Sequence, residues 1–275
     1  MDILFWSVLI SIFVFGLIAG SFLNCVIWRF HCGESAMSGR SYCPECRHKL
    51  AWFDLVPLFS FLCLGAKCRY CKKPISWQYP AVELAAALLF CFAALTFAPG
   101  IFLGQFSVIM LLELAGYWIV LAALAVIFVV DSRWYLIPDG AIAAGMLGAA
   151  ILLAARLREN GLVFGRVDIG IAVDYLSAAL IAGLFFLAIF LISKGEWIGF
   201  GDVKFAVLIG LALGFYPAML ALFLGNFFGA IMGLGLICAK KRKISSRIPF
   251  GPFLVSGMVV SMFFSSEITA WYWGF

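Results

Sequence analysis

Four acidic residues stand where apolar runs of this chain begin or end: Asp131, Asp139, Glu196 and Asp202. Asp131 closes Val126-Ile127-Phe128-Val129-Val130, and Asp202 opens a second run after Gly199-Phe200-Gly201. An ionisable group at a membrane boundary is costly, so each is a candidate for function. Two carboxylates that meet can share one proton, one acting as base toward water and the other as acid, as in the aspartic proteases. Asp139 follows Pro138 and also reads as a polar residue at a helix start. Taken singly, each Asp also reads as a helix-end residue facing water. The residues alone give a candidate acid pair and no reaction.

An asymmetry is expected within that pair. Asp202 begins a helix, whose partial positive charge favours the carboxylate, whereas Asp131 ends one, which favours the protonated acid. The effect is about 0.3–1 kcal/mol each and would make Asp202 the readier base. Gly199 and Gly201 either admit an extended substrate backbone or satisfy a turn with positive φ. Lys204 is expected to snorkel.

A second chemistry lies in Cys43-Pro44-Glu45-Cys46 and Cys68-Arg69-Tyr70-Cys71, separated by twenty-one residues. Paired C-x-x-C turns at this separation suit tetrahedral Zn²⁺, and four thiolates leave no open position, so the zinc would be structural. A loop of this size builds little core, and a metal staple would fold it. Cys25, Cys91 and Cys238 lie in apolar runs and read as packing, while Cys32, Cys63, His31 and His48 lack ligand spacing.

The elements that must position these residues are membrane helices. The chain has 275 residues, 65% hydrophobic and 12% charged, with mean hydropathy +1.11. The charged share is about half that of a soluble domain. The sequence predicts an all-α polytopic membrane protein of about eight transmembrane helices with a small cytoplasmic zinc-binding loop domain. Spans are expected near 3–28, 81–98, 106–130, 140–157, 171–193, 203–215, 217–238 and 250–273. The sixth is short enough to be re-entrant, with a turn at Gly214-Phe215-Tyr216-Pro217. No basic residue precedes the first run, so that span is expected to be retained. Domains are expected at 1–30 (first helix), 31–79 (zinc loop) and 80–275 (membrane core).

Sixteen of the nineteen Lys and Arg fall in the connections 29–80 and 239–249 and at Arg133, Lys194 and Lys204; only Arg156, Arg158 and Arg166 fall opposite. This bias places the zinc loop in the cytoplasm and both termini outside. Asp131 and Asp202 then reach the same depth on the cytoplasmic side from different helices.

The sequence resembles the bacterial type IV prepilin peptidases, bifunctional leader peptidase and N-methyltransferase enzymes of the GxGD intramembrane aspartyl protease class. The resemblance rests on Gly20-Ser21-Phe22-Leu23-Asn24-Cys25-Val26-Ile27-Trp28-Arg29, the paired C-x-x-C loop and Tyr79-Pro80-Ala81-Val82-Glu83-Leu84. It extends to Asp131 with Ile137-Pro138-Asp139, Gly199-Phe200-Gly201-Asp202 and Pro249-Phe250-Gly251-Pro252-Phe253. Phe30-His31 departs from the family's usual Leu-Pro. The resemblance implies Asp131 and Asp202 as the catalytic pair, with Asp139 a weaker candidate for the first position. It also implies prepilin or pseudopilin substrates, S-adenosylmethionine as methyl donor, and the bacterial inner membrane. No nucleic-acid partner is expected. No Gly-rich nucleotide fingerprint follows a strand, so the cofactor site is unassigned. The rival readings are a transporter using inner-face acids as a proton relay and a zinc-dependent scaffold for a secretion complex. A transporter should hold acids at mid-membrane, where only Glu113 fits, with no obvious basic partner in its own span.

Overall fold

Backbone groups in lipid must be satisfied within their own segment, which leaves helices as the form for these apolar runs. The computed structural model describes residues 2–35, 39–160, 162–163, 166–167, 169–238 and 249–274. The expectations placed on Lys240, Lys241, Arg242, Lys243, Arg247 and Asp168 fall outside the described residues. In chain order the helices are α1 (Asp2–Cys32), the short α2 (Phe59–Cys63), α3 (Gln78–Phe97), α4 (Val108–Trp134), α5 (Asp139–Asn160) and α6 (Ile169–Ile192). They continue with α7 (Phe200–Leu213), α8 (Phe215–Cys238) and α9 (Gly251–Trp273). Strands β1 (Leu162–Val163) and β2 (Arg166–Val167) form a small antiparallel ribbon between α5 and α6.

Among the described residues, seven helices are long and apolar enough to cross a membrane: α1, α3, α4, α5, α6, α8 and α9. The sixth expected span, 203–215, is α7, whose 14 residues rise about 21 Å, short of a hydrocarbon core of about 30 Å. The break between α7 and α8 comes at Gly214, with φ +80°. A Cβ there would lie 2.5 Å from the Asp174 carboxylate, which accepts the Phe215 N–H at 3.1 Å and so caps α8. Asp174, an acid inside an apolar run, gave no sequence signal of this role.

Contacts divide the chain into two compact units, Met1–Phe106 and Ser107–Phe275. The boundary expected at residue 80 lies inside the first unit, where α3 packs on α1. The cause is close packing, since a Cβ on Gly16 or Gly20 would fall 2.5 Å from Ala87 Cα or 2.6 Å from Glu83 Cα. In the second unit α4 packs on α5, α6 on α7 and α8 on α9, and α7 also touches α5 and α8. Small residues bring these backbones together, Gly210 against Ala179 of α6 and Gly257 against Ala221 of α8. The core of this unit runs along α7, where Phe205, Ala206, Leu208, Ile209 and Ala212 are fully buried.

Candidate active site and metal centre

α4 ends where Tyr135 enters the left-handed region, φ +57°, its N–H bonded to Asp131 O at 3.0 Å. The chain turns through Leu136-Ile137-Pro138, and α5 begins at Asp139. Two contacts clamp this turn onto α7. Ile137 packs against Gly201, where a Cβ would meet Ile137 Cβ at 2.9 Å, and Asp139 accepts an ion-paired hydrogen bond from Lys204 at 2.7 Å. The clamp brings the last turn of α4 beside the first turn of α7. Asp131 and Asp202 are 6% and 7% exposed, and the two carboxylates lie within electrostatic reach of each other.

Each carboxylate is held in the same manner. Asp202 Oδ2 accepts the Gly199 N–H at 2.9 Å, the residue that caps α7. Asp131 Oδ2 accepts the Gly251 N–H at 2.8 Å, at the start of α9. The second oxygen of each has no protein hydrogen bond among the described residues. The local surroundings are more alike than the expected dipole asymmetry supposed. Asp131 does end α4, but the N-terminus of α9 meets it from a segment 120 residues away and supplies the same favourable donor.

The neighbouring residues sort by the same geometry. Asp139 is 76% exposed and ion-paired, so it stands at the helix start and outside the pair. Lys204 reaches it instead of snorkelling alone. Glu196 is exposed. Neither Gly199 (φ −81°) nor Gly201 adopts a positive φ, which removes the turn reading for both. Gly201 is instead required by Ile137, while a Cβ on Gly199 would meet nothing closer than Asp202 Oδ2 at 3.6 Å. Of the glycines beside the pair, Gly251 has the tightest requirement, because its Cβ would lie 2.7 Å from Asp131 Oδ2. Sequence reading had it only within the stretch 249–253, with no hint of its contact. Glu113 does have a cation, Arg156 of α5 at 3.7 Å, which spacing within one span could not reveal.

In the first unit, Cys43, Cys46, Cys68 and Cys71 place their sulfurs within 4.8 Å of one another. The two C-x-x-C turns are copies. Cys43 N–H bonds to His48 O at 3.0 Å and Arg47 N–H to Cys43 O at 2.8 Å; Cys68 N–H bonds to Lys73 O at 2.8 Å and Lys72 N–H to Cys68 O at 3.0 Å. Arg47 and Lys72 both take a positive φ at the matching position. Burial pushes the Cys68 thiol up, but the N–H groups of Cys71 and Tyr70 outweigh it and bring it down to about 7. Cys71 is shifted the other way, upward, so the thiolate character lies at Cys68; four sulfurs this close together fit a soft metal ion. His48 stacks on Tyr70 at 3.7 Å, while Cys32 and Cys63 are exposed and outside the cluster. Cys238 is exposed and not in a core as expected.

Two family models match the chain: the bacterial peptidase A24 N-terminal domain over residues 14–97 and the type IV leader peptidase family over residues 118–234. Curated relatives named prepilin leader peptidase/N-methyltransferase align along nearly the whole length. The Aeromonas hydrophila protein is 31% identical over 97% of this chain and 94% of its own. The Bacillus subtilis protein is 31% identical over 95% and 96%, and the Pseudomonas aeruginosa protein 29% over 94% and 90%. The chain belongs to the type IV leader peptidase family. The N-terminal match contains all four clustered cysteines, and the leader peptidase match contains Asp131 and Asp202. No solved structure matches the chain.

Proposed function

We propose that this leader peptidase family member cleaves the leader of type IV prepilins or pseudopilins at the cytoplasmic face of the bacterial inner membrane, with Asp131 and Asp202 as the catalytic pair. The observation that carries the reading is the buried pair itself: two carboxylates from α4 and α7, each fixed through Oδ2 by one backbone N–H. Two carboxylates that meet at such a site share a proton readily. The ionised partner takes a proton from water, which attacks the scissile carbonyl, while the protonated partner gives its proton to the departing amine. Holding Oδ2 on a rigid N–H leaves Oδ1 of each side chain for water and substrate. Both carboxylates have equivalent donors, so the macroscopic titration belongs to the pair. The exposed backbone at Gly199 leaves room for an extended substrate strand; Gly201 serves that approach indirectly by keeping α7 against Ile137.

The relatives' name also carries N-methylation, and the same reading gives this chain S-adenosylmethionine as donor to the new N-terminus. Cys43, Cys46, Cys68 and Cys71 would hold a structural zinc, whose chemistry is to fix the loop and not to activate water. The Lys/Arg bias supports a cytoplasmic zinc loop and a periplasmic N-terminus; the C-terminus shares that side only if α7 completes a crossing, for which its 14 residues are short. The transporter reading loses its mid-membrane acid, because Glu113 is ion-paired to Arg156.

The deciding experiment incubates purified enzyme with a prepilin in detergent, comparing wild type, Asp131→Ala and Asp202→Ala by gel shift of the cleaved product. Loss of cleavage in both variants is expected. Cleavage by both would end the aspartyl peptidase reading. Methylation of a pre-cleaved pilin, followed by mass, should survive in both variants if the two activities use separate sites.

A further inference from the structure

The segment between the two C-x-x-C turns is apolar where a soluble loop should be polar. Trp52, Phe59 and Leu62 of that segment are 78%, 66% and 70% exposed, and Trp77, just after the second turn, is 72% exposed. A cluster of large exposed apolar residues marks a surface that meets something other than water. Its height along the helices identifies what that is.

Leu58, the residue that caps α2, donates its N–H to Glu83 at 2.8 Å. Glu83 lies five residues into α3, about 8 Å along its axis, and is 7% exposed against α1. Side chains on a helix lean toward its N-terminus, so the Glu83 carboxylate holds Leu58 at about the level of the first turn of α3. A second contact fixes the same height: Phe61, buried in α2, meets the ring of Trp77 edge-on at 5.0 Å, and Trp77 immediately precedes α3. The loop therefore returns to the membrane surface after leaving it at the end of α1.

The charges around the loop complete the match. Lys73 pairs with Glu45 and Arg69 with Asp54. Arg40, Arg47, Lys49, Lys67 and Lys72 are exposed and have no acidic partner among the described residues. Apolar side chains at the depth of a helix's first turn, bordered by uncompensated cations, complement acyl chains beneath anionic headgroups. Exposed Trp side chains at that level are the usual interfacial anchors.

We propose that residues 52–62, with Trp77, form an interfacial anchor that inserts into an anionic phospholipid leaflet and tethers the four-cysteine turns to the membrane surface. The inference stands on the first unit alone and does not depend on the peptidase reading.

The test uses full-length enzyme in nanodiscs with a photo-reactive residue, Phe59→p-benzoylphenylalanine or Leu62→p-benzoylphenylalanine, and Lys49→p-benzoylphenylalanine as the control. Metal content verifies that each variant keeps its cysteine turns. Irradiation should give adducts of phospholipid mass at positions 59 and 62 and far fewer at 49. Phosphatidylglycerol discs should raise the yield at least about fivefold over phosphatidylcholine, the effect of a single cation at an anionic surface. Adducts to residues 107–275, to a second copy or to added prepilin would overturn the proposal. So would equal yields at all three positions, or no preference for the anionic lipid.

Discussion

The two sites of this molecule are assembled on different scales. The four-cysteine centre is made of two short turns, each closing its own hydrogen bonds within five residues of its first cysteine. The aspartate pair needs the end of α4, the start of α7 and the start of α9, the last of these 120 residues from the carboxylate it holds. A local site announces itself by spacing, because the same few residues supply both the ligands and the geometry. A site built from three helices announces only its reacting groups.

That contrast explains what the sequence disclosed. The eight apolar runs and their ends were legible because helix length in lipid follows from hydropathy, and α7 differs only in being too short to span. The four cysteines were legible from C-x-x-C alone. Asp131 and Asp202 were legible as acids at matching depth, but their partnership with each other required helix counting. Gly251, Ile137 and the Arg156 partner of Glu113 were not legible, because each acts on a residue in another helix. Glu83 shows the same limit in the first unit: it reads as a helix-start acid, yet it accepts a backbone N–H from the loop. The dipole argument was incomplete for this reason too, since α9 contributes a donor that no local pattern around Asp131 contains.

The largest effect tests the pair directly. Asp131→Asn and Asp202→Asn keep the shape of each side chain and remove its ability to take or give a proton. Each should lower prepilin cleavage by roughly 10²–10⁴-fold, measured as initial rates. If the two carboxylates act as one unit, the double variant should be little worse than either single one. Additive losses would mean two independent groups and would break the comparison with a single assembled site.

The local site should fail differently. Cys68→Ser removes one sulfur from the four-cysteine cluster, where the proposed zinc would contribute about 10 kcal/mol of folding free energy, as in comparable small modules. Zinc measured by mass spectrometry should fall and the 39–77 segment should become protease-sensitive. Circular dichroism of the helices should change little, because α4–α9 form their own contacts. Loss of the helical bundle together with the metal would show that the two regions are not separable in this way.

Gly251→Ala probes the longest-range contact. Its methyl would sit 2.7 Å from Asp131 Oδ2, so either the carboxylate or α9 must move. A displacement near 1 Å at a reacting group costs about 10²-fold in rate. Cleavage should drop by about 10–10²-fold with the helical signal intact, and the pH profile should shift because the donor to Asp131 has changed. An unchanged pH profile would assign Gly251 to packing alone.

The smallest effect separates packing from substrate approach at the other glycine. Gly201→Ala places a methyl 2.9 Å from Ile137 Cβ, a side chain on a connecting turn that can give way more readily than the buried Asp131 carboxylate. Overpacking of this kind costs roughly 1–3 kcal/mol, part of which would appear as a slower reaction through a displaced Asp202. Ile137→Gly removes the atom that the new methyl meets. In a double-mutant cycle the Gly201→Ala, Ile137→Gly enzyme should then recover cleavage relative to Gly201→Ala alone. If the bare backbone at 201 serves instead to let a substrate strand lie against α7, the methyl obstructs the substrate whatever stands at 137. The cycle would then show no coupling, and KM would rise in both backgrounds. Gly199 supplies the control, because its Cβ would meet only Asp202 Oδ2 at 3.6 Å and Gly201 N at 3.9 Å, both ordinary contacts within α7 itself. A loss in Gly199→Ala that Ile137→Gly leaves unchanged would locate the substrate strand beside the cap of α7, with Gly201 serving to set the distance between α7 and the turn that follows α4.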